Sequence, residues 1–196
     1  MILWTIQSEA AVESLDRHGE LVADGGEPEP DFERAYRWMS DRMARRLGAG
    51  PAGGRPIWAW HTWQPGRRKP DLRSRGHLPP GTRGARIEFE IDPEHVLLSD
   101  FSLWHFVLNY WYLPSSPVDE ESFEGRLRAA GLDPYRTKPL PDREFHARIE
   151  ASWDRVFDLE SVIEGVTDEP GRRCIQATLW RAPARSVREV AWFVAR

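Results

Sequence analysis

The sequence predicts an α+β fold whose small, mostly antiparallel sheet is flanked by helices. Segments in which apolar and polar residues alternate indicate strands, and segments with apolar residues three or four positions apart indicate helices. No internal repeat is visible, so both kinds of element are expected to share one core. A chain of 196 residues can bury such a core, and we predict a single domain over residues 1–196.

The chain begins with a predicted strand and helix. Residues 3–6 have strand character, and Ser8 is placed to accept hydrogen bonds from the first turn of a helix. Gly19 stands where that helix is expected to end. A brief strand over 21–23 follows.

A loop, a second helix and a second long strand come next. Glycine, proline and acidic residues predict a loop over 25–30, after which Asp31 is expected to cap a helix over 32–47. Residues 57–63 have strand character with aromatic side chains at alternate positions. The stretch 64–84 is rich in Pro, Gly and Arg and predicts a long exposed loop, here called the basic loop.

The middle of the chain holds the clearest strand. Residues 85–91 place apolar side chains on one face and Glu88 and Glu90 on the other. Residues 96–98 are expected to continue the sheet, and apolar residues at helical spacing over 103–111 predict a helix.

The C-terminal part combines an insertion with further regular elements. Residues 115–141 form a polar, acidic insertion with one short helix over 120–130. A helix is predicted over 142–157, and strands over 174–180 and 187–194.

Composition narrows the classes of protein to which this chain belongs. No apolar run approaches the roughly 18 residues that span a membrane, and no basic leader precedes the first strand, so we expect a cytoplasmic protein. The single cysteine, Cys174, excludes an internal disulfide. The six histidines lack close ligand spacing, so no metal is expected, and phosphate-binding loops of known spacing are absent.

The basic loop and the preceding tryptophans are the first candidate ligand-binding region. Seven basic residues and one acid between positions 67 and 86 give a net charge of +6, which leaves −10 for the rest of the chain. Arginine pairs suit phosphate, and indole faces stack on bases, so we expect a phosphorylated small molecule or nucleotide. The alternative is a solvated surface loop. The candidates are Arg67, Arg68, Lys69 and Arg73, with Trp58 and Trp60 on one strand face.

Polar residues elsewhere supply candidate catalytic groups. Asp100 precedes a predicted helix, where capping alone explains a carboxylate. His105 and Asn109 lie one turn apart, where such a pair orients a substrate hydroxyl or holds a proton near neutral pH. The alternative is that the pair supports a neighbouring loop. Gln7 and Gln176 end or occupy strands, and the two amides would face one cleft if their strands were neighbours.

Short motifs over nearly the whole chain resemble one protein family. They include Trp4-Thr-Ile-Gln7, Pro56-Ile-Trp-Ala-Trp60, Arg68-Lys-Pro-Asp-Leu-Arg73, Leu97-Leu-Ser-Asp100, Trp104-His105, Leu108-Asn109, Trp153, Val156-Phe157-Asp158 and Ile175-Gln176-Ala177. The family is an uncharacterised bacterial one, known as domain of unknown function 3841. It brings no activity with it.

The order of elements also resembles the ADP-ribosyltransferases of the DNA-modifying toxin type. Those proteins have a first strand that carries an NAD-contacting side chain, then a helix and a turn, as residues 3–21 do here. They also have a late strand with the catalytic glutamate, a proline turn and a valine-rich closing strand, which Gln176, Pro183 and Val187 follow in order. The resemblance implies NAD as ligand, with Gln7 and Gln176 at the positions of the usual His or Arg and of the glutamate.

Replacing the glutamate changes the expected chemistry. Transfer from NAD passes through an oxocarbenium-like ribose, which a carboxylate stabilises and an amide does not. Catalysis would then fall to Asp100 or Glu90, or would be absent. The sequence therefore leaves two main hypotheses: a nucleotide- or NAD-binding domain related to ADP-ribosyltransferases, and a non-catalytic binding or adaptor protein. Nucleic-acid binding is a third option, disfavoured by the acidic remainder of the chain.

Overall fold

The computed structural model describes residues 1–23, 30–52 and 54–196. These residues form two compact units. The first unit comprises Met1–Leu98 and Cys174–Arg196, and the second comprises Ser99–Arg173. The second unit is thus an insertion in the sequence of the first. The single domain expected from chain length stays a prediction.

A six-stranded sheet organises the first unit. Its strands are β1 (Ile2–Ser8), β3 (Ile57–Thr62), β4 (Arg83–Glu90), β5 (Leu97–Asp100), β6 (Ile175–Leu179) and β8 (Val187–Val194). They lie in the order β5-β6-β3-β1-β4-β8, and the pairs β1·β3, β1·β4, β3·β6 and β4·β8 are antiparallel. Two short strands, β2 (Glu20–Leu21) and β7 (Ala182–Pro183), form a separate antiparallel ribbon. The predicted α+β class with a mostly antiparallel sheet is confirmed.

One face of the sheet carries the apolar core of the first unit. Strand alternation turns Leu3, Ile87 and Phe89 to this face, where each is fully buried. Helix α1 (Glu9–His18) packs Val12 and Leu15 into the same cluster. Burial of this face stabilises the unit, and truncation of a side chain such as Phe89 to alanine costs about 3–5 kcal/mol.

Helix α1 begins and ends where the sequence predicts. The Ser8 hydroxyl accepts a hydrogen bond from the Ala11 amide at 3.3 Å, which satisfies one of the free N–H groups of the first turn. Gly19 has φ 74°, a left-handed conformation, and its amide donates to the Leu15 carbonyl. The expected strand after it is shorter and lies at Glu20–Leu21.

The second helix starts differently from the prediction. Helix α2 spans Glu33–Leu47, and Pro30–Phe32 form a 3₁₀ turn before it. Phe32 occupies the cap position and no side chain caps the helix, so the predicted capping role of Asp31 is wrong. Pro30 fixes its own φ and lacks an N–H, which suits a tight turn before the helix. Most of the predicted loop 25–30 lies outside the described residues.

The second unit is helical. Its helices are α3 (Phe101–Leu108), α4 (Pro117–Ala129) and α5 (Arg143–Ser152). Helix α4 starts before the predicted residue 120 because the Ser116 hydroxyl caps it and Pro117 fits its first position. The helix predicted to continue to residue 157 changes to a 3₁₀ segment at Trp153–Phe157. Within this segment the Trp153 indole N–H donates to the Trp111 carbonyl at 2.7 Å.

Candidate functional site

A row of polar and aromatic side chains crosses the sheet on the face opposite the apolar core. Directly paired residues of antiparallel strands share a face, and Gln176 pairs with Trp60, Trp60 with Trp4, and Trp4 with Glu88. Glu88 in turn pairs with Glu189. We call Gln176, Trp60, Trp4, Glu88 and Glu189 the polar row. All five residues belong to the first unit.

Hydrogen bonds order one end of the polar row. The indole N–H of Trp4, a residue only 7% exposed, donates to Glu88 Oε2 at 2.7 Å. Lys69 Nζ lies 3.6 Å from the same carboxylate oxygen and 2.5 Å from Glu189 Oε2. The hydrogen bond from Lys69 is the first cause that lowers the pKa of Glu189. The Lys69 ammonium group therefore favours the anionic form of Glu189, and Lys69 and the Trp4 indole both contact the Glu88 carboxylate.

The other end of the polar row holds an unpaired amide. Gln176 is 5% exposed, and its Nε2 atom has no hydrogen-bond partner among the described residues. A buried donor left without an acceptor costs about 1–3 kcal/mol. Buried polar groups that lack a partner within the protein usually form a hydrogen bond to a ligand or to water. Gln176 is the polar group in this row with the strongest physical need for an outside partner.

A second row lies one repeat along the same face. Trp58 pairs with Thr178, so its side chain and that of Trp60 share the face, as the alternation predicts. The Tyr36 ring of α2 contacts the Trp58 ring edge-on at 5.7 Å. Burial raises the pKa of Tyr36. The Thr178 hydroxyl lies 3.9 Å from Met39 Sδ, which places α2 over this part of the face.

Gln7 lies on the opposite face from Gln176. It pairs with Ala85 and stands three positions from Trp4 in an unbroken strand, so its side chain points to the core side. Its Nε2 donates to Thr5 Oγ1 at 2.8 Å, and the Thr5 hydroxyl donates to the Trp58 carbonyl at 2.7 Å. Strand β3 separates β1 from β6. The condition under which the two amides would face one cleft, that their strands are neighbours, is therefore not met.

Two arginines of the basic loop share one carboxylate. Arg67 Nη1 lies 3.0 Å from Asp71 Oδ2, and Arg73 Nη2 lies 2.9 Å from the same oxygen. Hydrogen bonds from the Arg73 side chain and amide are the main causes that hold the pKa of Asp71 well below its usual range. The hydrogen bond between the side chains of Arg73 and Asp71 also raises the pKa of Arg73. A phosphate bound here would have to compete with Asp71 for both guanidinium groups.

The remaining loop candidates also have partners within the first unit. Arg68 Nη2 lies 2.8 Å from His61 Nε2, and burial followed by the Arg68 charge lowers the pKa of His61. Lys69 bridges the two carboxylates of the polar row. Asp71, within the loop itself, therefore pairs with Arg67 and Arg73, whereas the acids that pair with Lys69, Glu88 and Glu189, are distant in sequence.

The other three candidates lie in or at the start of the second unit. Asp100 caps α3, accepting from the Ser102 and Leu103 amides, as its position in the sequence suggests. Its Oδ2 is 3.6 Å from Arg173 Nε, and both side chains are nearly inaccessible to solvent. Burial raises the pKa of Asp100 despite these interactions. This geometry is that of a structural cap joined to a buried ion pair.

His105 and Asn109 bond to the backbone of their own helix. The His105 Nδ1 atom lies 3.0 Å from the Phe101 carbonyl oxygen, and the Asn109 side-chain amide donates to the His105 carbonyl at 2.8 Å. The two side chains do not bond to each other. Their arrangement serves the end of α3, and a role in catalysis stays a prediction.

Comparison with known protein families agrees with the first of the two resemblances seen in the sequence. Residues 2–187 match the model of a family described as a domain of unknown function (DUF3841). The chain belongs to this family. No curated protein matches this DUF3841 chain, and no solved structure matches it.

The structure adds residues that sequence reasoning missed in this member of the DUF3841 family. Trp4 and Glu88 both belong to the polar row, and Glu189 meets Lys69 at its end. Alternation in β1 and β4 signals that Trp4 and Glu88 leave the core face, but not that they meet. In the described part of this DUF3841 chain, no three His, Cys, Asp or Glu side chains cluster as metal ligands. Within the same part, no helix has the length and apolar character to cross a membrane.

Proposed function

We propose that this protein binds a nucleotide such as NAD at the polar row, as an ADP-ribosyltransferase-like domain without the transferase carboxylate. The observation that carries the proposal is the buried Gln176 amide beside Trp60, without an acceptor among the described residues. A planar ring finds an indole to stack on, and a ligand oxygen finds an unpaired N–H to accept from.

The resemblance to ADP-ribosyltransferases concerns a first strand and a late strand that face one ligand. In this chain the first-strand residue in register with Gln176, on the same face, is Trp4, with Trp60 between them. Trp4 is therefore the residue proposed to contact the ligand from β1, in place of Gln7. The side-by-side placement of these strands around β3 supports the proposal.

Charge on the row favours binding without transfer. The carboxylate of the row nearest to Gln176 along the paired strands is that of Glu88, three strand steps away, which corresponds to about 14 Å. One carboxylate cannot stabilise a ribose cation held at Gln176 over that distance. Asp100 is committed to its helix cap, and Glu90 lies 2.8 Å from Arg188. We infer that a nucleotide bound at Gln176 stays intact.

The second candidate function is a non-catalytic adaptor that binds another protein. The internal pairing of Arg67, Arg68, Lys69 and Arg73 favours it, because a phosphate would have to displace existing partners. Surface ion pairs contribute only about 0–1 kcal/mol, so this competition weakens phosphate binding without preventing it. Nucleotide binding is therefore the first function to test.

Isothermal titration calorimetry with NAD and with ADP-ribose tests the proposal. We expect binding that Gln176→Ala weakens by about two- to tenfold, the effect of one lost hydrogen bond of about 0.5–1.5 kcal/mol. Gln7→Ala is the matched control and should leave the affinity unchanged, because Gln7 lies on the other face.

Two outcomes contradict nucleotide binding: no heat with either ligand up to millimolar concentration, or equal weakening by both alanine variants. The first of these leaves the adaptor as the surviving candidate. Release of free nicotinamide from NAD by the purified protein would contradict the part of the proposal that excludes transfer.

A further inference from the structure

The second unit contains a groove lined by aromatic side chains, none of which belongs to the polar row. It encloses about 520 Å³, within the range of small-molecule sites. It runs between the end of α3, helix α4 and the segment that follows α4. Its aromatic lining consists of Phe106, Trp111, Tyr112, Phe123 and Tyr135. We call it the aromatic groove.

Three aromatic rings of the groove contact one another. Phe106 meets Trp111 edge-on at 6.0 Å, and Tyr135 meets Trp111 at 6.4 Å with the ring planes 58° apart. Tyr135 is 69% exposed although it is a large aromatic residue. The indole nitrogen of Trp111 is buried and has no hydrogen-bond partner among the described residues. On this side of the groove, the Trp111 indole nitrogen therefore lacks a hydrogen bond within the described residues, and the Tyr135 side chain is open to solvent.

The charged groups around the groove are mainly acidic. Glu120, Glu124 and Asp133 line it, against one cation, Arg128, which lies 3.2 Å from Glu124. Asp133 accepts from the Tyr135 amide at 2.8 Å. The carboxylate of Glu120 has no ion pair with the described residues. A negative rim around aromatic walls is complementary to a positively charged ligand with an apolar body.

The second unit already uses this kind of contact nearby. Arg148 places its guanidinium carbon 5.7 Å from the Tyr112 ring centre and 5.3 Å from that of Phe123. These two rings are stacked at 3.8 Å, and both line the groove. The aromatic cluster therefore accepts a cation from within the chain at one of its surfaces.

We propose that the aromatic groove binds a small organic ammonium cation with an apolar or aromatic body. The cation lies against the faces of Trp111 and Tyr135, and Glu120 supplies the opposite charge. This site is separate from the polar row, since every lining residue belongs to the second unit. The two proposals can therefore fail independently.

Calorimetric titration with benzyltrimethylammonium at low salt tests the cation site. Tyr135→Ala should weaken binding about two- to fivefold, the loss of one partly exposed cation–π contact. Glu120→Gln should weaken it about twofold or more. Glu121→Gln is the matched control, because Glu121 is an exposed acid of the same helix that does not line the groove. Phenylacetate, which carries the same ring with a negative charge, should not bind.

The proposal is overturned if benzyltrimethylammonium gives no heat up to tens of millimolar, or if phenylacetate binds as well. Equal weakening by the two glutamine variants would also overturn it. Glu120, Glu121 and Tyr135 are all exposed, so we expect each of the three variants to have the far-ultraviolet circular dichroism of the wild type. Gln176→Ala should leave the affinity for the cation unchanged, which separates this test from that of nucleotide binding.

Discussion

Replacing Gln176 with leucine should stabilise the ligand-free protein. The amide is 5% exposed, and its unpaired nitrogen costs about 1–3 kcal/mol of folding free energy. Leucine removes that cost because its side chain has no polar atom, but its different shape adds up to about 1 kcal/mol of strain. We therefore expect a net gain of about 1 kcal/mol.

The same substitution at Gln7 should have the opposite sign. Gln7 donates to Thr5 Oγ1 at 2.8 Å, so Gln7→Leu loses a formed hydrogen bond and about 1 kcal/mol of stability. The two glutamines belong to one sheet and differ in the face they occupy. The pair therefore isolates the effect of an unpaired amide from the general effect of placing leucine in a strand.

Urea denaturation followed by circular dichroism measures both variants. With a slope of about 2–3 kcal/mol/M, the midpoint should rise by about 0.4 M for Gln176→Leu and fall by about 0.4 M for Gln7→Leu. The slopes should equal that of the wild type. A loss of more than about 1 kcal/mol in Gln176→Leu at unchanged slope would refute the reasoning, because the amide would then be paired in the folded protein. Nucleotide binding at the polar row would lose its main support.

Two further predictions concern buried charge and pH. Asp100→Ala removes a helix cap and leaves the Arg173 guanidinium buried without its carboxylate, so we expect a loss of about 3–5 kcal/mol in urea denaturation. A loss below about 1 kcal/mol would contradict this role. The pKa of His61 is lower in the folded protein than in the unfolded chain, so as pH falls the unfolded chain binds a proton at His61 first. Protonation of His61 therefore lowers the free energy of unfolding as pH drops below about 6.5. His61→Gln should lose less stability than the wild type between about pH 7.5 and about pH 5.5, and equal losses would contradict the assignment.

Local patterns predicted the elements whose causes are local. The Ser8 cap and the Gly19 stop of α1 depend on residues within one helical turn, and both occur as predicted. The alternation of β4 turned Ile87 and Phe89 into the core as expected. Asp31 shows the limit of such patterns, because it lies within a 3₁₀ turn and Phe32 takes the cap position instead.

The candidate site was harder to predict because it depends on which strands become neighbours. Trp58 and Trp60 share a face through alternation alone, and the sequence showed this. Gln7 and Gln176 would face one cleft only on neighbouring strands, but β3 lies between their strands and the register of β1 turns Gln7 to the other face. Glu189, 120 residues along the chain, lies beside Lys69 and would compete with a phosphate for it, which spacing in the sequence does not show.

The sequence by itself determined the α+β class, the core faces of the strands and both ends of α1, since these follow from spacing and from contacts within one turn. Only the tertiary structure decided the membership of the polar row, the pairing of Lys69 with distant carboxylates and the opposite environments of the two glutamines. The physical reason is that hydrogen bonds and ion pairs act over a few ångströms in space. The distance along the chain between two partners contains no information about whether they meet.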